Sequence, residues 1–539
     1  MSVLAQPTGR RLGGLALPVA PGLARLRDWV PHLLGEGLAA WRAADRIETG
    51  APEVADALRV VRQVVRTAAI TAPPDLWLLR QVLSALAATG WRERLAEGVH
   101  DVPPELEPDL TLLLSRGYLV RAGAGWRWAE LPTAQRVLRE VGPLPERPAD
   151  LSARWAAALS GDRAHDALLA DVLAGDVPAA PHPPPSWVAT PEDLELGYRL
   201  VPLVLGLRAA QRIPELLDHG ALPLPAPLAD RARATLRAAG WLGDGAVTPL
   251  GRRGLERGPG PFGIIETYHP YLAALPRIWA EGRAAVHVAR AGNVAASQDA
   301  NRATFQRAND ALDRFCADTG FPLRVFVEHA VGRGEAIRQR WARAGDGLVY
   351  VGADLEAEAL AAAQAEVAAG RLPPDVAFVQ ADIAQPEALV GALRARGVPT
   401  EGAVMLVGNG FHEVRDRSDD RMVAVFRGYC EAGIVLLLTE ESALSVDDLL
   451  RTAWNTYHAG FRYVHERSGQ GLRPASPAPG PAIGPPLPAS WQECAVRAGY
   501  VALERYGSRS RTIYPYPPAD GHNPSVSTNL FLVPPAYAP

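Results

Sequence analysis

The sequence has few cysteines, no block of basic residues and no long apolar run. Cys316, Cys430 and Cys494 are odd in number and far apart in segments that read as helix, which argues against a disulfide framework and for free thiols. The 55 basic and 59 acidic residues nearly balance, so the composition does not favour nucleic acid or an anionic membrane as a partner. No apolar run approaches the roughly 20 residues that a membrane span needs. We therefore expect a cytoplasmic protein with small-molecule or protein partners.

The N-terminal segment "TGRRLGGLALPVAPGLA" resembles a twin-arginine export signal. Its apolar part is short and contains Pro18 and Pro21, and no small-residue cleavage site follows it. We therefore expect this segment not to direct export.

Two proline-rich segments suggest how the chain is divided. At 539 residues, 48% of them hydrophobic, the chain can form two or three domains. We interpret 177–193 as a linker and 473–490 as a loop within the last domain, where a loop of that length is often a lid. The predicted domains are a helical, winged-helix-like domain at 1–176, a second such domain or lid at 194–286, and an α/β domain at 287–539.

A weak internal repeat lies before residue 260. Each copy predicts two helices, the second ending in a glycine and an aromatic residue, followed by a short hairpin. The pairs are Gly117 with Tyr118 and Gly240 with Trp241. This is the pattern of a winged helix, but neither second helix is basic enough to read DNA. A packing or dimerisation module is favoured over a DNA-binding regulator, and a homodimer stays an open alternative.

From about residue 320 the sequence alternates between apolar, β-branched runs and helices. Runs such as "LVYVGADL" and "IVLLLTEE" predict a parallel sheet with helices on both faces, hence an α/β fold. In such a sheet ligands bind at the carboxyl ends of the strands.

The first of these strands ends in "VEHAVGRGE". Glu328 lies at the strand end, and Gly332 and Gly334 lie in the following turn, where glycine lets a ligand approach the backbone. Alone, this short glycine motif is weak evidence.

The next two strands also end in acidic residues. Asp354 of "GADLE" is placed to accept hydrogen bonds from a ribose, and Asp382 of "QADIA" to bind an adenine amino group beside Ile383. Any one of the three acids could instead cap the helix that follows it.

These three motifs together resemble the class I S-adenosylmethionine-dependent methyltransferases over residues 320–516. The resemblance implies a Rossmann-like sheet preceded by the helical region, and S-adenosylmethionine bound by Glu328, the loop glycines and the two aspartates, with Leu355, Ile383 and Asn409. The C-terminal "AGYVALERYGSRSRTIYPYP" resembles the reversed hairpin that closes this sheet. Ala330 stands where the family usually has its first glycine. A dehydrogenase is the main competing interpretation, but the turn lacks the full G-x-G-x-x-G fingerprint.

The fourth strand runs into "GNGFHEVRDRS". Small-molecule O-methyltransferases with a winged-helix N-terminal domain have a histidine followed by an acid in the corresponding stretch. The resemblance implies that His412 is the general base that takes an acceptor proton. Either Glu440 or Glu441, at the end of the fifth strand, would orient it.

A second interpretation involves a metal. His412, Glu413 and His458, with His465 in reserve, are the mixed nitrogen and oxygen ligands of a Fe(II) or Mn(II) centre. Trp454, His458, Phe461 and His465 recur on one helix face. The alternative is that each histidine is a surface or capping residue and that the two aromatic residues belong to the core. Residues 287–315 and the altered glycine motif resemble the metal-dependent C-methyltransferases of apratoxin-type loading modules.

The sequence thus predicts a methyltransferase of natural-product metabolism that acts on a small-molecule or carrier-bound acceptor. The predicted reaction is metal-assisted C-methylation of an acid or keto acceptor. O-methylation with His412 as base and a regulator with a non-catalytic sheet are the alternatives.

Overall fold

The computed structural model describes residues 10–12, 15–17, 52–145, 148, 150–175, 188–282, 286, 291–415, 418–451, 457–478, 480, 486–512 and 524–539. The description covers the backbone alone at 10–12, 15–17, 52–68, 291–301, 450–451, 457–458, 510–512 and 525–526.

The chain divides into two compact units. The first contains Met1–Val288 and Val446–Ser468, and the second contains Ala289–Ser445 and Gly469–Pro539. This division differs from the predicted domains in two ways. Residues before and after 177–193 belong to one unit, and Val446–Ser468 joins them although it lies within the predicted α/β domain.

The first unit is mostly helical. The helix Pro52–Ala88 packs against Pro191–Ala209, which also packs against Leu151–Leu159, so segments on both sides of the predicted linker share one core. The remaining helices of at least five residues are Trp91–Glu97, Glu107–Ser115, Pro132–Glu140, Asp166–Val172, Ile213–His219, Ala226–Ala238, Pro249–Arg257, Pro259–Glu266, His269–Ala273, Leu275–Glu281, Val446–Arg451 and Tyr457–Ser468.

The repeat appears in this unit as helices followed by a hairpin or its remnant. In the first copy β3 (Leu119–Ala122) pairs with β4 (Gly125–Trp128), whereas the second copy has a single bridge between Leu242 and Val247. A separate short hairpin joins β1 (Arg10–Leu12) and β2 (Leu15–Leu17). The hairpin is thus complete in one copy only, and the winged-helix interpretation stays a prediction.

A buried polar cluster fixes the helix Tyr457–Ser468 within the first unit. The Asp109 carboxylate is fully buried and accepts hydrogen bonds from the Tyr463 hydroxyl (2.6 Å) and Trp279 Nε1 (2.9 Å). It also forms an ion pair with the buried Arg467. A buried charge needs such partners, because leaving it unpaired costs several kcal/mol, roughly 3 to 5.

The second unit is built on one mixed sheet. Its strands are β5 (Val325–His329), β6 (Val349–Asp354), β7 (Ala377–Gln380), β8 (Val404–Gly408), β9 (Val435–Glu441), β10 (Val501–Ala502), β11 (Ser508–Thr512) and β12 (Ser525–Val533). The order is β10-β12-β9-β8-β5-β6-β7, with β11 also paired to β12. The pairs among β5 to β9 are parallel, and β12 runs antiparallel to β9.

Helices cover both faces of this sheet, as the uninterrupted apolar strands predict. They are Ala291–Thr319, Glu335–Ala344, Ala357–Ala368, Pro386–Ala395, Asp419–Glu431 and Trp491–Arg497. Alternate residues of each strand enter two apolar clusters. One contains Val327, Met405 and Leu436, and the other contains Phe326, Leu406 and Leu437.

The cysteine prediction is confirmed. Cys316, Cys430 and Cys494 lie on helices and form no disulfide. Among the described residues, no helix is both long and apolar enough to cross a membrane.

Candidate functional site

The strand register brings the predicted site residues to one edge of the sheet. His329 at the end of β5 is level with Ala353 on β6 and Val407 on β8, and Asp354 is level with Gln380 on β7. The carboxyl ends of β5, β6, β7 and β8 therefore lie side by side, as the alternation of strands and helices predicts.

The carboxylate of Glu328 caps the helix that follows β5. One oxygen accepts the amide of Ala336 (3.1 Å) and the other that of Ile337 (2.8 Å), both in the first turn of the next helix. Burial raises the pKa of Glu328 to about 8, although these two amides oppose the rise. Glu328 thus has the capping role that the sequence analysis gave as the alternative to ligand binding. Both of its carboxylate oxygens accept hydrogen bonds from backbone amides of that helix.

Asp354 connects the first and second strand ends. Its carboxylate accepts the amide of Gly332 (3.3 Å) and that of Glu356 (3.1 Å). Burial raises the pKa of Asp354, and the amide hydrogen bonds lower it. The next side chain, Leu355, is 53% exposed and offers an apolar surface beside this acid. A carboxylate can accept hydrogen bonds from the hydroxyls of a ribose, and an exposed apolar side chain beside it can pack against the attached base.

The third and fourth strand ends complete this edge. Asp382 accepts the amide of Ala384 (2.8 Å), and the buried Ile383 follows it. Asn409 has a left-handed backbone with φ of 55°, which asparagine tolerates better than most residues. Its Oδ1 is buried and has no hydrogen-bond partner among the described residues. An orphaned buried acceptor at a strand end is a candidate ligand contact.

Close packing requires glycine at the last residue of β8, Gly408, and at Gly410. A Cβ on Gly408 would lie 2.4 Å from Cζ of Phe305, and one on Gly410 would lie 2.8 Å from Cγ1 of Val407. These approaches let the chain turn sharply into the 3₁₀ turn Phe411–Glu413, which carries His412.

His412 forms a buried dyad with Glu440. Its Nδ1 lies 2.7 Å from Oε2 of Glu440, while Oε1 of the same carboxylate accepts the amide of Phe411 at 2.7 Å. Glu440 is fully buried and His412 is 5% exposed, so water competes little for these bonds. A carboxylate that accepts from Nδ1 fixes the ring and leaves the lone pair on Nε2.

Strand alternation explains why Glu440, and not Glu441, has this role. Leu436 and Leu438 belong to the cluster on one face of β9, and Leu437 belongs to the cluster on the other. Because side chains alternate along a strand, Glu440 lies on the face of Leu436 and Leu438. Glu441 lies on the face of Leu437 for the same reason. The sequence left the choice between these two acids open, and the sheet decides it.

Glu413 lies on the other side of the imidazole. Its Oε1 is 3.8 Å from Nε2 of His412 and is hydrogen-bonded to the side chain of Gln470. The amide of Gly471 donates to the carbonyl of His412 (2.9 Å). Sequence reasoning missed Gln470, because nothing in its neighbourhood marks it and it lies far along the chain from Glu413.

The predicted metal site is not assembled by the described residues. Within them, no three His, Cys, Asp or Glu side chains are grouped to hold a metal ion. His412 and Glu413 supply two donors, but the side chain of His458 and all of Trp454 lie outside the described residues. The predicted third ligand therefore stays a prediction.

His465, the predicted reserve ligand, is a buried residue of the first unit. Its Nδ1 is hydrogen-bonded to the carbonyl of Phe461 (2.7 Å), and its ring lies near those of Phe461 and Tyr268. These are the contacts of a core residue, whereas the sequence alternative for this histidine was a surface or capping position.

Comparisons with known proteins give structural likenesses only. No family model and no curated protein matches the chain. The CurJ carbon methyltransferase has 11% identity over 89% of this chain and 98% of its own, with a TM-score of 0.37. The pyocyanin biosynthetic protein PhzM has 16% identity over 61% and 94%, with a TM-score of 0.35. A putative methyltransferase from Thermobifida fusca has 17% identity over 50% and 93%, with a TM-score of 0.30.

The fold assignment rests on the sheet itself. Five parallel strands in the order β9-β8-β5-β6-β7, with the antiparallel β12 inserted between β9 and β10, form the class I methyltransferase sheet. This confirms the predicted α/β fold class, with its mostly helical N-terminal region. The reversed strand β12 lies after the segment 498–517 from which the closing hairpin was predicted, and that segment contributes β10 and β11, which both pair with β12.

Proposed function

We propose that the protein is an S-adenosylmethionine-dependent methyltransferase of natural-product metabolism that acts on a hydroxyl group of a small-molecule or carrier-bound acceptor. The observation that carries this proposal is the His412–Glu440 dyad, buried at the carboxyl end of β8 and β9 with a 2.7 Å contact between Nδ1 and Oε2. A dyad of this kind can take up a proton at Nε2.

The edge of the sheet fits the proposed methyl donor. Asp354 would hold the ribose, Leu355 and Ile383 would flank the adenine, and Asp382 would accept from its amino group. The buried Oδ1 of Asn409 is an acceptor suited to the ammonium group of the methionine part. When bound, S-adenosylmethionine supplies an electrophilic methyl group on its sulfonium.

Replacing Asp354 tests this assignment. Asp354→Ala removes the charged acceptor for both ribose hydroxyls, so we expect the affinity for S-adenosylmethionine to fall by about 1 to 3 kcal/mol. Isothermal titration calorimetry measures the change. The matched control is Glu356→Ala, which leaves the Asp354 carboxylate and the backbone amide that it binds in place. Equal affinity for Asp354→Ala and the unmutated protein would contradict the ribose assignment.

The dyad would act on the acceptor during methyl transfer. Nε2 of His412 takes the hydroxyl proton as the acceptor oxygen attacks, and the Glu440 carboxylate stabilises the imidazolium that forms. Positioned proton transfer of this kind contributes about 10² to 10⁴ in rate. Burial strengthens the contribution, because the pair interacts across a medium of lower dielectric constant than water.

Metal-assisted C-methylation is the second candidate. It is favoured by the 3.8 Å separation between Nε2 of His412 and Oε1 of Glu413, which is compatible with two ligands of one ion. It lacks a third donor among the described residues. We therefore derive no step of the reaction through a metal.

Chelation separates the two candidates. Because a base needs no ion, we expect the protein to transfer methyl groups at an unchanged rate after exhaustive treatment with EDTA and 1,10-phenanthroline. Elemental analysis should find no Fe or Mn above background. Loss of activity on chelation, with recovery on adding Fe(II) or Mn(II), would favour the metal site, and His458→Ala should then abolish metal binding.

The activity itself can be sought with S-adenosylmethionine carrying a tritiated methyl group. The acceptor panel would contain phenols, aliphatic hydroxy acids and β-keto thioesters, since the two candidates differ in the atom that is methylated. A regulator would instead bind the donor without turnover, and would bind duplex DNA with an affinity that falls steeply with salt.

A further inference from the structure

His329 and Ala330 form an unusual pair at the start of the loop after β5. Ala330 has a φ of 58°, in the left-handed region that a residue with a Cβ seldom occupies. A class I sheet is expected to have glycine here, and glycine adopts this conformation without cost. Something in the chain must therefore hold Ala330 in place.

The His329 side chain supplies one half of that restraint, because a hydrogen bond to the Ala330 N–H fixes the peptide plane before its Cα. The bond from the Val331 N–H to the Ala353 carbonyl fixes the plane after it, so the dihedral angles of Ala330 cannot change without breaking one of the two bonds. Its Nδ1 accepts the amide N–H of Ala330 at 2.9 Å, and the residue is 2% exposed. Burial lowers the pKa of His329 to about 3, so the ring is neutral at physiological pH. A neutral ring that accepts at Nδ1 carries its proton on Nε2.

The neighbouring hydrogen bonds depend on the same turn. The amide of Val331 donates to the carbonyl of Ala353 (3.1 Å), and that of Gly332 donates to Asp354 (3.3 Å). If Ala330 relaxed to an extended conformation, both amides would be redirected away from β6. The position of the loop beside Asp354 thus depends on the conformation of Ala330.

The turn also approaches the loop that carries His412. A Cβ on Gly410 would lie 3.3 Å from Cβ of Ala330, so the Ala330 methyl group packs close to the backbone just before Phe411. A movement at Ala330 would therefore disturb both the loop beside Asp354 and the turn before the dyad.

We propose that His329 is a positioning residue that holds Ala330 in its left-handed conformation through Nδ1, and so keeps the loop shaped for the adenosine part of the methyl donor. The inference rests on the proposed function for the identity of the ligand. Glycine would adopt the left-handed conformation without strain, whereas Ala330 needs the hydrogen bond to His329 to hold it there.

Two isosteric substitutions distinguish the ring nitrogens. His329→Asn keeps an acceptor near the position of Nδ1, whereas His329→Gln keeps a polar group near Nε2 and loses that acceptor. His329→Leu loses both. The probe is S-adenosylhomocysteine, titrated by calorimetry, with thermal unfolding measured for each variant.

We expect His329→Leu and His329→Gln to weaken binding by about tenfold, because the strain of the left-handed Ala330 is then no longer offset. His329→Asn should bind like the unmutated protein. The decisive variant is His329→Leu combined with Ala330→Gly, which should recover the lost affinity because glycine needs no restraint. If His329 only filled space, Ala330→Gly would raise the affinity equally in the unmutated protein and in His329→Leu, so the single variant Ala330→Gly is the control.

Two outcomes would overturn the proposal. One is a double variant that binds no better than His329→Leu. The other is His329→Gln binding normally while His329→Asn does not, which would assign the role to Nε2. If His329→Leu does not fold, His329→Gln takes its place in the comparison.

If the unmutated protein binds no S-adenosylhomocysteine, the proposed function fails on its own. The positioning role is then tested by thermal unfolding alone. Adding Ala330→Gly to His329→Leu must restore the stability that His329→Leu loses. Absence of that restoration would overturn the positioning role independently of any ligand.

Discussion

We expect His412→Ala to lower the rate constant for methyl transfer by about 10²- to 10⁴-fold, the usual contribution of a positioned general base. The affinity for S-adenosylmethionine should stay unchanged, because His412 contacts Glu440 and Glu413 rather than the residues assigned to the donor. Single-turnover kinetics with the acceptor found by the tritium assay would measure the rate, and calorimetry the affinity.

A neighbouring substitution provides the control. Glu413→Gln keeps a polar side chain of the same size beside Gln470, so a general-base mechanism predicts a far smaller loss than for His412→Ala. A metal mechanism predicts comparable losses for both variants. Full activity of His412→Ala would contradict both mechanisms and assign the proton to another group or to water.

The sheet could be predicted from the sequence because its signals are local. Each apolar run is bounded by turn residues, and the helices between the runs are long enough to make the crossovers that parallel strands require. The strand ends Asp354 and Asp382 follow from the same pattern, since a carboxyl end of a parallel strand lies where ligands bind.

The dyad could be predicted only in part. His412 followed from its place after β8, but its nearest acid in the sequence, Glu413, is not its hydrogen-bond partner at Nδ1. That partner is Glu440, which lies on the adjacent strand and on the face that Leu436 and Leu438 share. The resemblance offered Glu440 or Glu441 for this role, whereas the local pattern did not, because the adjacency of β8 and β9 follows from the strand order.

The division into units was the least predictable feature. An amphipathic helix shows that it has an apolar face but not which core receives that face. The helix Tyr457–Ser468 belongs to the first unit because Tyr463 and Arg467 bind Asp109, more than 350 positions earlier in the chain. Proline content at 177–193 similarly predicted a break, yet helices on both sides of it pack into one core.

The role of His329 was also missed, for a physical reason. A histidine directly after Glu328 reads as an ordinary strand residue, and the departure from glycine at Ala330 reads as a weakened motif. Only the backbone angle of Ala330 and the 2.9 Å contact to Nδ1 relate the two observations. In this proposal the hydrogen bond from the Ala330 amide to His329 explains why alanine can stand where the resemblance led us to expect glycine.

Replacing Glu440 by glutamine should be nearly as damaging as removing the histidine. The glutamine oxygen can still accept the amide of Phe411, which leaves its NH₂ group facing Nδ1 of His412. The opposite orientation would place two donors, the NH₂ group and the Phe411 amide, against each other, at a cost of about 1 to 3 kcal/mol for the unsatisfied groups.

With an NH₂ group at Nδ1, the imidazole must accept there and carry its proton on Nε2. It then cannot take the acceptor proton, so we expect Glu440→Gln to lower the methyl-transfer rate by about 10³- to 10⁴-fold, as expected when a catalytic histidine is held in the wrong tautomer. The same kinetic assay measures the rate, and urea unfolding confirms that the variant is folded. Glu441→Gln, one residue along β9 and on the opposite face, is the matched control and should retain activity per folded molecule. A Glu440→Gln variant that is folded and as fast as the unmutated protein would show that Glu440 does not set the proton position, and the dyad would then lose its assigned role.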